Sequence, residues 1–146
     1  MMRIVTILGV LLALAGCGSP TEIHVTNAWV RLPAAPGRPA GAYFTLHGGK
    51  ADATLISISS DVAIKAEMHE TVKSGAMSAM KPIEQVALPA ASKIVFAPGG
   101  KHVMLFDVKP GIKPGAPVPL LFTFADGQRI TYKATAVGAG DPAPGQ

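Results

Sequence analysis

The chain has 146 residues, 49% of them hydrophobic and 15% charged, with one cysteine and a formal net charge of +4. A single cysteine excludes an intrachain disulfide framework, so a folded domain has to rest on a packed core. The basic residues are scattered singly, without a Lys/Arg run or an interleaved aromatic platform, which makes nucleic acid a poor partner.

Met1-Met2-Arg3 is followed by an apolar run from Ile4 to Ala15. That run is about a dozen residues, short of the roughly 20 that span a bilayer, and residues 1–16 read as a signal peptide. Leu14-Ala15-Gly16-Cys17 resembles the lipobox of bacterial lipoproteins, which makes Cys17 the expected lipidation point and residues 17–22 a lipidated N-terminus and linker. Two or more acyl chains, at roughly 0.8 kcal/mol per buried CH2, would hold such a chain on a membrane. Ordinary cleavage that leaves a free thiol is the alternative. Gly18 stands where retention in an inner membrane would favour Asp. The expected location is therefore extracytoplasmic and lipid-anchored, at the outer membrane in a Gram-negative cell. About 130 residues remain, with a net charge of +3 once Arg3 is gone. They suffice for one domain that buries roughly two-thirds of its unfolded surface.

Short β-rich runs then recur between Gly and Pro punctuation: Ile23–Arg31, Gly41–His47, Ala53–Ile58, Val62–Met68, Lys93–Ala97, Lys101–Val108, Pro119–Ala125 and Arg129–Val137. This spacing predicts a single all-β sandwich or barrel over residues 23–137. Asp126-Gly127 and Pro98-Gly99-Gly100 are the expected hairpin turns. Residues 111–117 form a Pro/Gly loop, and residues 138–146 lack aliphatic bulk and read as a flexible tail. No helix longer than a turn or two, no repeat and no second domain is evident.

Four residues stand out by chemistry: His69, Met80, His102 and Met104, in the pattern His-x10-Met-x21-His-x-Met. Two imidazoles and two thioethers, with no thiolate or carboxylate, suit copper(I) better than calcium, magnesium or manganese. A blue-copper site needs a cysteine thiolate, and a Cys-x-x-Cys carrier needs two. On a strand His102 and Met104 share a face, with Cα atoms about 6.6 Å apart. The Gly99-Gly100 turn then predicts a site at one end of the sandwich, with His69 at the end of its run and Met80 after a loop. Taken singly, Met80 and Met104 could be core filler, and His69 and His102 surface residues. Met68 reads as core, Met77 as a possible auxiliary soft donor in the loop, and His24 and His47 as surface residues. Glu67 and Glu70 flank His69, either orienting its ring or simply solvated. Motifs for hydrolysis or phosphate binding are missing, so the chain does not read as an enzyme.

The same spacing, together with Asn27-Ala28-Trp29-Val30-Arg31, Gly41-Ala42-Tyr43-Phe44 and Gly100-Lys101-His102-Val103-Met104, resembles the periplasmic copper chaperones of the PCu(A)C family. The resemblance implies a cupredoxin-like Greek-key sandwich, with Trp29 and Tyr43 as core aromatics. It also implies one copper(I) ion held by the four residues and passed, by a monomeric protein, to the CuA centre of cytochrome c oxidase subunit II. Thr71 departs from relatives that carry a further Met there, and the tail lacks the His and Met of relatives with a C-terminal extension. Two other functions fit the sequence: a copper-buffering or resistance protein without a dedicated recipient, and a metal-free β-sandwich lipoprotein that serves as an interaction module.

Overall fold

The computed structural model describes residues 22–145. The expected signal peptide, the lipobox and Cys17 lie outside the described residues. Ten strands follow in chain order: β1 His24–Arg31, β2 Ala40–His47, β3 Ala53–Ser59, β4 Ala63–Ser74, β5 Met77–Pro82, β6 Val86–Leu88, β7 Lys93–Phe96, β8 Lys101–Val108, β9 Pro117–Phe124 and β10 Arg129–Val137. They form one sheet in the order β5-β4-β8-β7-β2-β1-β10-β9-β3-β6, with β8 also paired to β2. The all-β expectation is borne out.

Period-two alternation sends one side of each long strand inward. On β2, Ala40, Ala42, Phe44 and Leu46 are buried, and on β9 Val118, Leu120, Phe122 and Phe124. The sheet curls on itself, so that Phe44 stacks on Phe96 of β7 at 4.3 Å and meets Phe122 of β9 edge-on at 4.9 Å. Met68, Val103 and Leu105 join this core from β4 and β8, as expected for Met68.

Two strands escaped the sequence pattern. Every residue of β5 is exposed, so it has no buried stripe to betray it; it exists because its backbone pairs with β4 from His69↔Pro82 to Ser74↔Met77. Gly75, with φ +60°, takes the first central position of that two-residue hairpin, where a positive φ suits glycine. β4 accordingly continues to Ser74, well beyond the expected end at Met68. β6 is only three residues long.

Pro98-Gly99-Gly100 is not the hairpin turn expected of it. β7 and β8 run parallel and dock one after the other on β2, with Phe44↔Phe96 followed by Ala42↔Val103. The intervening residues make an outward excursion, closed by Gly100 N–H donating to Ala97 O and Ala97 N–H to Lys101 O. The Asp126-Gly127 hairpin between β9 and β10 does form.

A bulge in β1 decides which face several side chains occupy. Register steps from Thr26↔Thr45 to Trp29↔Tyr43, and Asn27 adopts φ 52°. One extra residue reverses the alternation beyond it. Trp29 and Arg31 thereby lie on the outer face beside Tyr43 and Gly41, and Ala28 and Val30 point inward. Trp29 is nonetheless buried, at 8% exposure, as the family resemblance implied for it, whereas Tyr43 is only half-buried. The two pack on each other on that face at 4.4 Å.

Within the tail, residues 138–141 are hydrogen-bonded. Asp141 closes a turn with Gly138, and the Arg31 guanidinium donates to the carbonyls of Ala139 at 3.0 Å and Asp141 at 2.8 Å. Arg31 also lies over the Trp29 ring.

Candidate metal centre

Antiparallel pairing of β4 with β8 sets His69 directly opposite His102 and Glu67 opposite Met104, and pairing of β4 with β5 sets Thr71 opposite Met80. Opposed residues share a face, so His69, Met80, His102 and Met104 all lie on one side of three adjacent strands. That side is the outer one, because Met68, Val103 and Leu105 of the same strands fill the core. The cluster sits on the sheet's outer face toward one end, where β1 and β10 finish and β2 and β8 begin, as expected; the correction is that His69 lies inside β4 and not at its end.

An outer face would ordinarily be wet, yet His102 is only 6% exposed. It lies in a cavity of about 360 Å³ together with Met80 and Met104. The walls come from far apart in the chain: Leu32–Ala34 after β1, Pro39 just before β2, Ala40, Gly41 and Tyr43 of β2, Thr71, the Pro98-Gly99 excursion, and Ala139 of the tail. Thr71 N–H donates to Gly100 O at 3.1 Å and fastens the excursion to β4. Met80 is 60% exposed, which leaves a thioether at the mouth while His102 sits deep.

The imidazole rings of His69 and His102 have centroids 6.0 Å apart. Two imidazoles sharing one ion through bonds of about 2 Å have ring centres roughly 5–6 Å apart. Each ring is hydrogen-bonded through one nitrogen only. His69 Nε2 is 3.2 Å from Glu67 Oε2, and His102 Nδ1 is 2.9 Å from Gly100 O. The other two nitrogens, His69 Nδ1 and His102 Nε2, are buried without a hydrogen-bond partner among the described residues. Buried polar atoms are nearly always satisfied, so two orphans in one cluster call for a ligand. Among the described residues no group of three or more His, Cys, Asp or Glu comes together, so a metal here would depend on the thioethers.

A family model described as "Putative lipoprotein LpqE-like" matches residues 23–136. The chain belongs to the LpqE-like family. A curated relative, "Putative lipoprotein Lxx21020" of Leifsonia xyli subsp. xyli, is 29% identical over 140 residues, covering 87% of this chain and 84% of its own. Among solved structures, the copper-bound PCuAC domain from PmoF2 superposes with a TM-score of 0.66 at 24% identity, over 84% of this chain and 97% of that one. The solution structure of the copper(I) form of DR1885 from Deinococcus radiodurans gives 0.62 at 25% identity, over 90% and 85%. The likeness to PCu(A)C proteins read from the sequence is borne out, and with it the cupredoxin-like barrel.

In this LpqE-like domain the remaining expected residues separate cleanly. Met77 is not brought to the cluster: it pairs with Ser74 at the hairpin tip, three residues from Met80 and hence on the opposite face of β5, and is 78% exposed. Glu67 contacts His69, whereas Glu70 lies on the other face and pairs with Lys101 at 2.7 Å. Lys65 holds the second oxygen of Glu67 at 2.7 Å. Hydrogen bonds from Lys65 and then His69 keep the Glu67 carboxyl below its ordinary pKa. His24 and His47 stack at 4.4 Å at the far end of β1, away from the cavity.

Arg31 and Tyr43 were not singled out for the site by sequence, yet both line it. The Tyr43 hydroxyl lies over Gly41, where a Cβ would come within 2.7 Å of it. Burial raises the phenol's pKa, partly offset by the charge of Arg31. The signal that could have pointed to them was Gly41, two residues before an aromatic on the ligand face.

Proposed function

We propose that this LpqE-like protein is an extracytoplasmic copper(I) chaperone. One ion would be held by His69, Met80, His102 and Met104 and handed to a recipient cuproenzyme. The observation that carries this reading is the pair of buried, partnerless imidazole nitrogens on the same face as two thioethers. Soft neutral sulfur and imidazole favour copper(I), and thioethers exchange readily toward a recipient richer in thiolate and imidazole. Met80 at the mouth gives an incoming ligand a place to displace. The copper-bound relatives support the same cargo. The soft, neutral donor set supports carriage over catalysis.

The family description as a lipoprotein supports anchoring through Cys17 on the extracytoplasmic side, at the outer membrane if the cell is Gram-negative. For the recipient we favour the CuA centre of cytochrome c oxidase subunit II. Deletion of this chain should lower oxidase activity in cells grown in scarce copper, and added copper should restore it. Normal oxidase activity combined with copper sensitivity would mean buffering instead. Failure of the purified domain to take up one copper(I) ion under reducing conditions would sink the whole reading.

A further inference from the structure

The two histidines are held in opposite senses, and what they are bonded to decides which atom each can offer. A carboxylate oxygen only accepts hydrogen bonds. The 3.2 Å contact between Glu67 Oε2 and His69 Nε2 therefore needs the hydrogen on Nε2. A neutral imidazole carries one N–H, so the lone pair of His69 sits on Nδ1, which is the buried orphan atom. His102 is the mirror case. Its Nδ1 faces the carbonyl of Gly100 at 2.9 Å, which also only accepts, so the hydrogen is on Nδ1 and the lone pair on the buried, partnerless Nε2.

The reverse tautomer of His69 would aim a lone pair at a carboxylate and leave a buried N–H unsatisfied. Glu67 is itself clamped, since Lys65 Nζ lies 2.7 Å from its other oxygen. Lys65, Glu67 and His69 alternate along one face of β4, so the chain Lys65–Glu67–His69 is a local product of strand geometry. Residue 67 also stands directly across from Met104. The orienting carboxylate thus stands on the strand that bears His69, opposite a ligand of β8.

The geometry points to a site of mixed attachment: His69 takes the ion through Nδ1, His102 through Nε2, and Glu67 is the positioning residue that enforces the first choice. This inference rests on the copper(I) reading above. Its physical content is that the two rings are not interchangeable. His102 is fixed by backbone, whereas His69 is fixed by a side chain that one substitution removes. Freed from Glu67, the His69 ring can turn over and present Nε2, and the converging lone pair is lost for part of the population.

The test is long-range proton–nitrogen NMR of the 15N-labelled full domain, with and without one equivalent of copper(I), which is diamagnetic. In the metal-free protein, His69 should show its hydrogen on Nε2 and His102 on Nδ1. Copper(I) should shift His69 Nδ1 and His102 Nε2 and leave the other two nitrogens protonated. Glu67→Val, which keeps strand propensity, should give a mixed His69 tautomer and weaken copper(I) binding about tenfold, the usual scale for a lost orienting partner. Glu67→Gln keeps an acceptor oxygen and should restore most of the affinity. A copper-induced shift at His69 Nε2, or a Glu67→Val protein with unchanged tautomer and affinity, overturns the proposal while leaving the copper site standing. Copper(I) that moves neither histidine overturns the site itself, and with it this inference.

Discussion

His69 and His102 face each other across β4 and β8 with ring centres 6.0 Å apart, and each hides one nitrogen that no group among the described residues satisfies. Their pairing is a consequence of register. A slip of one residue between these strands would turn one ring into the core and leave the other alone.

The first prediction concerns the ligands. Met104→Ile keeps bulk and strand propensity but deletes the sulfur, so circular dichroism should be unchanged and copper(I) affinity should fall by about tenfold or more. His102→Ala should cost more, because imidazole is the stronger donor. Zinc should bind wild type weakly, since this set lacks both thiolate and carboxylate. His24→Ala and His47→Ala, at the far end of β1, should leave copper(I) affinity as it was. Chelator competition on all five proteins is the measurement; unchanged binding by Met104→Ile would remove that residue from the site.

A second prediction concerns acid stability. Burial, then the nearby His24 and Lys93, hold the pKa of His47 below its ordinary 6.5. A histidine depressed in the fold binds its proton more readily when unfolded, so the unfolded state gains protons first as pH drops. The contribution of His47 is fully present above pH 6.5 and is lost as pH falls toward the folded value. His47→Gln should therefore unfold with a shallower pH dependence than wild type between pH 7.5 and 5. Urea midpoints at several pH values decide it, and parallel curves for the two proteins would be the contrary result.

Gly48 supplies a test of packing away from the site. A Cβ there would come within 2.4 Å of the Pro89 carbonyl oxygen and 3.1 Å of Ser92 N, both backbone atoms. Gly48 N–H also donates to Ser92 O, so the two turns cannot simply separate. Gly48→Ala should destabilise by about 2 kcal/mol through this overpacking. Gly75→Ala meets no neighbour within 4 Å but sits at positive φ, and should cost about 1 kcal/mol by backbone strain alone. Equilibrium unfolding ranks the two.

The fourth prediction concerns the anchor. Cys17→Ala should release the protein from membranes or block its maturation while leaving the folded domain intact. Membrane fractionation after a high-salt wash reads this out, and wild-type retention of the variant would end the lipoprotein assignment.

Much of the fold was legible in the chain because alternation is a local property. Ala40, Ala42, Phe44 and Leu46, or Val118, Leu120, Phe122 and Phe124, announce a strand with one buried side from a handful of neighbouring residues. The donor types of the candidate site were legible for a similar reason, since thioether and imidazole softness belongs to the side chain and not to its surroundings.

Other features were decided only by tertiary structure. The extra residue at the Asn27 bulge moves Trp29 and Arg31 to the outer face, and alternation by itself cannot say where its phase is broken. β5 buries nothing, so its existence, and with it the placing of Met80 on the face of His69 and the exclusion of Met77, depends on backbone pairing with β4. Pro98-Gly99-Gly100 looks like a hairpin turn locally and becomes a cavity wall because both flanking strands dock on β2. The depth of His102 comes from segments as distant as Leu32 and Ala139 closing over it. Residue types and period settle what each stretch can do; register and long-range contact settle which face it does it on.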